Sequence, residues 1–301
     1  MKRELRETLE RQVRGRVLSG EPLAQYTSFG IGGPADVMIV PEGVEDVQAA
    51  LTFCRDEGIA YILLGGGSNL LVRDGGFRGM VLNLGGVFTH LHVEGRRVWS
   101  GTGVRLSRLV AFCSKGALAG VESLAGIPGT VGGAVKGNAG AFGGSIADHL
   151  AEVRLVTPQG NQQALSRDQM EFSYRRSSLP EGCVVVEAAF DLEPGDPVRI
   201  RRRVSENLIQ RNRGQPVEWR SAGSVFKNPP GEYAGRLVEK SGLKGMRIGS
   251  ACISPKHGNF IINLGGATAA DVLALIDLIT HRVREEMHVE LELEVQVVGE
   301  D

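Results

Sequence analysis

Two glycine-rich segments carry the strongest chemical signal in this 301-residue sequence. An apolar run over residues 62–64 stops at Gly65-Gly66-Gly67 and restarts after Asn69. Because residues without a Cβ let backbone N–H groups close around an anion, such a turn can hold a phosphate. A second glycine cluster, AGIPGTVGGA, occupies residues 125–134. Together the two segments predict a cradle for the two phosphates of a dinucleotide.

Neither segment matches the better-known phosphate-binding motifs. Leu70 stands where the Rossmann fingerprint requires its last glycine, and the sequence contains no Gly-Lys-Ser/Thr of a P-loop. Taken alone, a triple glycine forms a tight strand connection about as often as a ligand site. The phosphate hypothesis therefore depends on the presence of both loops.

Composition narrows the class of protein. The 34 basic and 35 acidic residues give no global attraction to nucleic acid or to an anionic membrane. The four cysteines lie far apart without Cys-x-x-Cys spacing, which is typical of reduced cytosolic thiols rather than of a zinc site or a disulfide framework. Residues 1–16 lack the apolar core of a signal peptide, and no segment is apolar enough to span a bilayer. We therefore expect a cytoplasmic protein.

The elements that must position these loops form an irregular series of helices and strands, which predicts an α+β protein in three parts. Residues 1–86 predict helices over 1–16 and from Pro41 to a stop at Gly58, with strands over 61–64 and 80–84. Residues 87–195 predict strands over 97–100, 152–156 and 183–192, a helix around 106–113, and a short helix with a capping box from Ser166 to Gln169. The turn at residues 194–197, with the sequence PGDP, closes this second part.

Residues 196–301 predict the third part. It contains helices over 197–213, around Leu237 and over 268–287, and a strand over 260–264. Thr268 is the predicted cap of the last helix, with Asp271 in its first turn. Strict alternation over 289–297 predicts a closing strand with one apolar face.

Several separated motifs, taken in order, resemble one family. They are YTSFGIGGPA at 26–35, the two glycine loops, FSYR at 172–175, SAGSVFKNP at 221–229, HGNF at 257–260 and LEV at 293–295. This ordered set is similar to UDP-N-acetylenolpyruvoylglucosamine reductase. The chain between Arg175 and Ser224 is short and carries no extra tyrosine-bearing insertion, so it resembles the shorter, second type of that family.

The resemblance implies the fold of the PCMH-type flavoprotein superfamily. In that fold a two-subdomain FAD-binding region, here 1–86 and 87–195, precedes a C-terminal α+β substrate-binding domain, here 196–301. FAD is implied as the cofactor and NADPH as the electron donor, and the FAD is expected to be non-covalent because the first loop has no histidine for flavin attachment. The implied FAD-binding residues are Gly65, Gly66, Gly67, Ser68, Asn69, Leu70, Gly126, Ile127, Pro128, Gly129, Thr130, Gly132, Gly133, Ala134, Asn138 and Gly140.

The resemblance also implies a reaction, the reduction of UDP-N-acetylglucosamine enolpyruvate to UDP-N-acetylmuramate for peptidoglycan synthesis. Arg175 would bind the substrate carboxylate and stabilise the enolate, since a guanidinium fork suits a planar carboxylate. Ser224 would donate a proton to the carbanionic carbon, and Glu294 would help to stabilise the enol intermediate. The implied substrate-binding residues are Tyr174, Lys227, Asn228 and His257. A monomer without a metal or a nucleic-acid partner is expected.

Each of these residues has an ordinary alternative when only the local pattern is considered. Arg175 would be a solvated arginine, Ser224 a turn serine, and Glu294 one of several glutamates on a solvated strand face. Lys227 and Asn228 would be exposed loop residues. The ordered motifs are what favour the chemical roles.

Two further patterns have ordinary structural explanations, and two other functions are compatible with the glycine loops. The arginines at 199 and 201–203 predict a solvated helix face, with a contact to the UDP phosphates as the minor alternative. His90 and His92 share a strand face but lack further ligands at metal spacing. The rival functions are another oxidoreductase of the same flavoprotein superfamily and a nucleotide-binding module without catalysis.

Overall fold

The structure, a computed structural model, describes residues 3–301 and contains both helices and strands throughout. Within that range the helices are α1 Arg3–Gln12, α2 Val44–Glu57, α3 Leu106–Lys115, α4 Val131–Lys136, α5 Pro197–Gly214, α6 Ala234–Lys240 and α7 Ala269–Met287. The strands are β1 Arg16–Pro22, β2 Pro34–Val40, β3 Tyr61–Leu64, β4 Leu70–Val72, β5 Phe77–Asn83, β6 Leu91–Glu94, β7 Arg97–Gly101, β8 Leu118–Ala119, β9 Gly140–Ala141, β10 Gly144–Ser145, β11 Leu150–Val156, β12 Gln162–Ser166, β13 Phe172–Ser173, β14 Arg176–Ser177, β15 Val184–Asp191, β16 Glu193–Pro194, β17 Arg247–Ile248, β18 Ala251–Ile253, β19 Ile261–Asn263 and β20 Gln296–Val298.

The chain forms two compact units, each assembled from separate pieces of sequence. The first comprises the residues up to Ser19, Val37–Gly66 and Gly79–Gln210. The second comprises Gly20–Asp36, Gly67–Arg78 and Arg211–Asp301. These divisions differ from the boundaries near residues 86 and 195, which rest on turn signals local in the sequence. The three-part division stays a prediction.

The first unit contains two sheets with separate apolar clusters. One sheet has the order β1-β2-β5-β3, and β3 pairs in parallel with β5. Its cluster includes Leu51 of α2 and Leu82 of β5. The other sheet has the order β12-β11-β15-β7-β6, with antiparallel pairing throughout. Helices α3 and α4 contribute to its cluster, which includes Phe190 of β15.

The second unit contains a three-stranded antiparallel sheet, β17-β18-β19, and the helices α6 and α7. The start of α7 is fixed as its sequence predicts: Thr268 Oγ1 accepts a hydrogen bond from the Asp271 N–H at 3.1 Å, and the Asp271 carboxylate accepts one from the Thr268 N–H at 3.1 Å. The Asp74 carboxylate also accepts from the first two N–H groups of α7. These acceptors satisfy donors that a helix start otherwise leaves unpaired.

Two predicted elements are wrong in extent. The first helix ends at Gln12 rather than at residue 16, where β1 begins, and the closing strand is shorter than predicted. The alternating segment 289–297 is a strand only over Gln296–Val298, where β20 runs parallel to β4. Leu291 and Val295 are buried, but Leu293 is 36% exposed and forms only an isolated bridge to Phe226. The capping box at Ser166 is confirmed, and the short helix that it begins is a single 3₁₀ turn over Arg167–Gln169.

Candidate active site

The two glycine loops lie against each other in the first unit. A Cβ on Gly66 would lie 2.8 Å from the Cα of Gly129, and a Cβ on Gly65 would lie 2.6 Å from the Oγ1 of Thr130. Real Cβ atoms do not approach other atoms this closely, so only glycine fits at both positions. The structure thus brings together the two segments that the phosphate hypothesis requires to be adjacent.

Backbone conformation gives a second reason for glycine in these loops. Gly126 and Gly129 have φ angles of 75° and 110°, a region that L side chains rarely adopt. Gly67, which belongs to the second unit, has a φ of 59°, and a Cβ there would lie 2.0 Å from the carbonyl oxygen of Tyr26. These glycines are therefore required by the fold itself.

Three N–H groups of the two loops are available to a ligand. The N–H groups of Gly65, Gly66 and Gly133 donate to no acceptor among residues 3–301. Gly133 lies in the first turn of α4, it is exposed, and the nearest atom to a Cβ built there is Thr130 Oγ1 at 3.8 Å. Unpaired N–H groups on adjacent glycine loops fit the pyrophosphate of FAD, because that anion supplies the acceptors they lack.

The other residues of the second loop make hydrogen bonds and packing contacts within the first unit. The N–H groups of Val131 and Gly132 donate to the carbonyls of Val104 and Thr102 at 2.9 Å. A Cβ on Gly132 would lie 2.9 Å from the Cβ of Thr102, so Gly132 is needed for packing whether or not a ligand binds. Thr130 and Ala134 are buried, while Ile127 is partly buried against the apolar cluster of α3 and α4. Pro128, between Ile127 and Gly129, is exposed.

Asn69 and its neighbours, predicted to bind FAD, have clear structural partners in the second unit. Leu70 begins β4 and pairs with Gln296 of β20. The Asn69 Nδ2 donates to the carbonyl oxygen of Glu294 at 2.9 Å. Ser68, next to Gly67, is partly buried. A cofactor contact by any of the three stays a prediction.

Asn138 and Gly140, also predicted to bind FAD, are connected to the hairpin that carries Arg175. The Asn138 Nδ2 donates to the carbonyl of Ser173 at 2.8 Å, and Arg175 Nη1 donates to the carbonyl of Gly140 at 3.0 Å. Asn138 has a φ of 43°, which is unusual for a residue with a side chain. The 138–140 segment therefore positions the predicted carboxylate-binding arginine.

Arg175 occupies a strained position in a two-residue turn. Strands β13 and β14 pair Phe172 with Ser177 and Ser173 with Arg176, which leaves Tyr174 and Arg175 as the turn. Arg175 has a φ of 57°, where glycine is normally preferred. Its guanidinium carbon lies 5.3 Å from the centroid of the exposed Tyr174 ring. A non-glycine residue in this conformation is often found at a functional position.

Ser224 and Glu294 lie on neighbouring backbone segments of the second unit. The carbonyl of Val225, the residue after Ser224, accepts from the N–H of Glu294 at 2.8 Å and from the N–H of Val295 at 3.3 Å. The Ser224 hydroxyl makes no hydrogen bond within residues 3–301, so no protein acceptor there holds its proton. The structure thus brings together two of the three predicted catalytic residues, while Arg175 belongs to the other unit.

Asn259 supports the Ser224 segment and has no predicted role in the sequence. It is buried, its Oδ1 accepts from the Phe226 N–H at 2.9 Å, and its Nδ2 donates to the Phe226 carbonyl at 2.8 Å. Its carbonyl accepts from the N–H of Val225 at 2.9 Å. Asn259 belongs to the HGNF motif, so the sequence did single it out. A linear motif does not show which distant backbone segment its side-chain amide will bind.

The predicted substrate-binding residues of the second unit have structural contacts. Lys227 Nζ forms an ion pair with Glu292. Asn228 Oδ1 accepts from the Ala234 N–H at the start of α6. Burial, together with the positive charge of Lys244, lowers the pKa of His257, whose Nδ1 accepts from the Asn259 N–H at 3.2 Å. His257 is therefore neutral near pH 7 and supports the loop; substrate contacts by these residues stay predictions.

His90, His92 and Arg202, which the sequence patterns singled out, contact other side chains of the protein. His90 Nε2 lies 2.6 Å from Glu187, and the ring of His92 stacks on Trp99. Across residues 3–301 there is no group of three or more His, Cys, Asp or Glu side chains that could hold a metal ion. Arg202 of α5 pairs with Glu206 on the same helix. Among residues 3–301, no helix is long and apolar enough to cross a membrane.

Comparison with known proteins assigns the family. A model of an FAD-binding domain matches residues 35–166, and a model of the C-terminal domain of UDP-N-acetylenolpyruvoylglucosamine reductase matches residues 215–298. The reductase of Syntrophus aciditrophicus is 46% identical over 99% of this chain and 96% of its own length. The chain belongs to the UDP-N-acetylenolpyruvoylglucosamine reductase family.

Other reductases of this family are similarly close. The UDP-N-acetylenolpyruvoylglucosamine reductase of Bacillus subtilis is 43% identical and covers 99% of both chains. The crystal structure of the reductase from Thermus caldophilus superposes with a TM-score of 0.82 at 41% identity, covering 95% of this chain and 99% of its own. A glucose dehydrogenase, Phl p 4.0202, shares the fold at a TM-score of 0.53 and 17% identity. These matches confirm the α+β fold with an FAD-binding region and a C-terminal domain.

Proposed function

We propose that this chain reduces UDP-N-acetylglucosamine enolpyruvate to UDP-N-acetylmuramate with NADPH and FAD, a step of peptidoglycan precursor synthesis. The observation that carries the proposal is the family match over the whole chain, at 46% identity to a curated reductase. The apposed glycine loops, with three unpaired N–H groups, support the cofactor assignment independently of that match.

The chemistry divides between cofactor and protein. FAD, when bound, supplies hydride transfer from NADPH to the enolpyruvyl methylene carbon. Gly65, Gly66 and Gly133 would hold its pyrophosphate through backbone N–H groups. Since Gly65 has no histidine neighbour in this loop, the attachment is proposed to be non-covalent.

The protein's own residues control charge and the proton. Arg175 binds the substrate carboxylate and stabilises the negative charge that develops on the enolate. Ser224 donates a proton to the carbon next to the one that receives hydride, which its lack of a protein hydrogen-bond acceptor permits. Glu294, fixed beside Ser224 through the Val225 carbonyl, stabilises the enol form.

The setting of the enzyme follows from its substrate class. A nucleotide sugar and NADPH are small soluble molecules, so the proposed location is the cytoplasm. The balanced charge of the chain supports the absence of a nucleic-acid partner. The proposed form is a monomer of the shorter, second type of the family.

Steady-state NADPH oxidation tests the proposed function. Purified protein should oxidise NADPH rapidly only when UDP-N-acetylglucosamine enolpyruvate is present, and mass spectrometry should show a product heavier by two hydrogens. In deuterium oxide, one deuterium should enter the product at the protonated carbon. NADPH oxidation that does not respond to this substrate would indicate a different oxidoreductase, and a colourless protein without oxidation would indicate a binding module.

A further inference from the structure

Asn69 makes two hydrogen bonds to the backbone that directly follows the Glu294 side chain. Its side-chain Nδ2 donates to the carbonyl oxygen of Glu294 at 2.9 Å, and its backbone carbonyl oxygen accepts from the N–H of Gln296 at 3.0 Å. We propose that Asn69 is a positioning residue for Glu294, in addition to any contact it makes with the cofactor. The inference rests on the proposed function, because it assumes the catalytic role of Glu294.

A second backbone segment also holds Glu294. On the opposite edge, the Val225 carbonyl accepts from the N–H groups of Glu294 and Val295. Residues 288–295 contain no strand, and regular pairing with β4 begins only at Gln296. The Asn69 amide thus holds the carbonyl of Glu294, while the Val225 carbonyl holds the N–H groups of Glu294 and Val295.

The chemistry of this position requires an amide side chain. The carbonyl of Glu294 needs a donor, and asparagine supplies one from a short side chain with little conformational freedom. An aspartate has the same shape but no donor at neutral pH, and its carboxylate would repel the Glu294 carbonyl oxygen. Asn69 is exposed, so its side-chain hydrogen bond adds little to global stability and its replacement should leave the fold intact.

The arrangement also predicts how the effect will appear. A displacement of about 1 Å of a catalytic group can reduce a rate about 100-fold. Only the reaction with the enolpyruvyl substrate uses Glu294, so only that half-reaction should respond. A residue that merely bound FAD would change flavin content or the rate of reduction by NADPH instead.

The experiment compares Asn69→Ala and Asn69→Asp with the wild type, and with Asn212→Ala as a control at another exposed asparagine of the same unit. With FAD at a saturating concentration, we expect NADPH to reduce both Asn69 variants at rates within about twofold of the wild type. Reoxidation by the enolpyruvyl substrate should fall about 10- to 100-fold. In a Glu294→Gln background, adding Asn69→Ala should reduce the rate by less than about twofold, because the two residues act as one unit.

Hydrogen–deuterium exchange supplies a readout that does not depend on turnover. The Gln296 N–H donates to the backbone carbonyl of Asn69, which both variants retain. Loss of the side-chain bond to the Glu294 carbonyl should still loosen this segment, so the Gln296 amide should exchange faster in both variants, whereas Asn212→Ala should leave it unchanged. Unchanged exchange, or full additivity with Glu294→Gln, would overturn the inference. If wild-type flavin is not reoxidised by the substrate, the proposed function fails, and the exchange result alone decides whether Asn69 holds this segment.

Discussion

At the scale of single residues, Gly133 differs from the other loop glycines because the protein's own packing does not require it. Gly66 and Gly132 are excluded from substitution by neighbouring protein atoms, so a side chain there would disturb the fold with or without a ligand. A Cβ on Gly133 would make an ordinary contact with Thr130 Oγ1 at 3.8 Å, and the Gly133 N–H group is unpaired within residues 3–301. Gly133 is therefore the position at which cofactor binding can be separated from folding.

Gly133→Ala should yield a stable protein with weakened FAD binding. The added methyl group favours the helix by up to about 1 kcal/mol, but it occupies the space through which a phosphate must approach the N–H group. We expect FAD affinity to fall about tenfold or more, measured by flavin content and fluorescence titration. Gly214→Ala, at an open position of α5, is the control. Full flavin occupancy in Gly133→Ala would remove this loop from the cofactor site.

Arg175 should show a conflict between stability and function. At a φ of 57°, alanine is disfavoured relative to glycine by about 1 kcal/mol, so Arg175→Gly should be more stable than Arg175→Ala by that amount in urea denaturation. Both variants should slow reoxidation by substrate equally while leaving reduction by NADPH nearly unchanged. Because both variants lack the guanidinium, the difference between their stabilities reports the backbone conformation alone. An alanine variant that is the more stable of the two would contradict the left-handed turn.

Ser224→Ala should affect proton transfer alone. The substitution removes the hydroxyl with little change in volume, so NADPH should still reduce the flavin at the wild-type rate. Loss of a general acid typically costs about 100- to 10,000-fold, which should appear in turnover. Ser224→Cys should retain more activity than the alanine variant, since a thiol can also donate a proton. Near wild-type turnover in Ser224→Ala would leave water or Glu294 as the donor.

At the scale of elements, Asp46 connects the start of α2 to the turn after α1. Its carboxylate accepts hydrogen bonds at 2.8 Å from the N–H groups of Arg14, Gly15 and Glu42. Burial opposes ionisation, but these three donors outweigh it, and the pKa of Asp46 is lowered. Its contribution to stability is therefore present above its unfolded pKa of about 3.9 and is lost as the pH falls through the lower folded value.

Asp46→Ala should therefore destabilise the protein in a pH-dependent way. At pH 7 we expect a loss of about 3 kcal/mol, because three backbone donors lose a charged acceptor. The difference from the wild type should shrink as the pH falls below about 4. Urea denaturation over this range measures the difference. Asp56→Ala is the control, because Asp56 is exposed and forms an ion pair with its neighbour Arg55. A difference that stays constant with pH would show that the charge on Asp46 is not responsible.

Local signals explain which elements the sequence could predict. The stop of α2 at Gly58, with a φ of 63°, and the Thr268 capping box depend on residues within one turn of the helix end. The 289–297 segment could not be predicted in the same way, because its pairing depends on Val225 and Asn69, far away in sequence. Alternation identified the buried Leu291 and Val295 but not the break at Leu293.

At the scale of the whole molecule, the order of the chain differs from its arrangement in space. Residues 20–36 and 67–78 belong with the C-terminal part of the chain, although they precede or interrupt the predicted FAD-binding segments. Turn signals mark where the chain bends and carry no information about which distant segments pack together. The catalytic roles proposed for Arg175, Ser224 and Glu294 rest on ordered motifs, whereas the packing of Gly66 on Gly129 follows from the structure.

The most direct test of the proposed function is anaerobic stopped-flow absorbance of the FAD-loaded protein, with the two half-reactions mixed in sequence. NADPH should first bleach the flavin, and UDP-N-acetylglucosamine enolpyruvate should then restore its absorbance in a single turnover, with one UDP-N-acetylmuramate formed per flavin. A flavin that NADPH reduces but this substrate does not reoxidise would contradict the substrate assignment. A protein that binds no flavin would contradict the cofactor site as well.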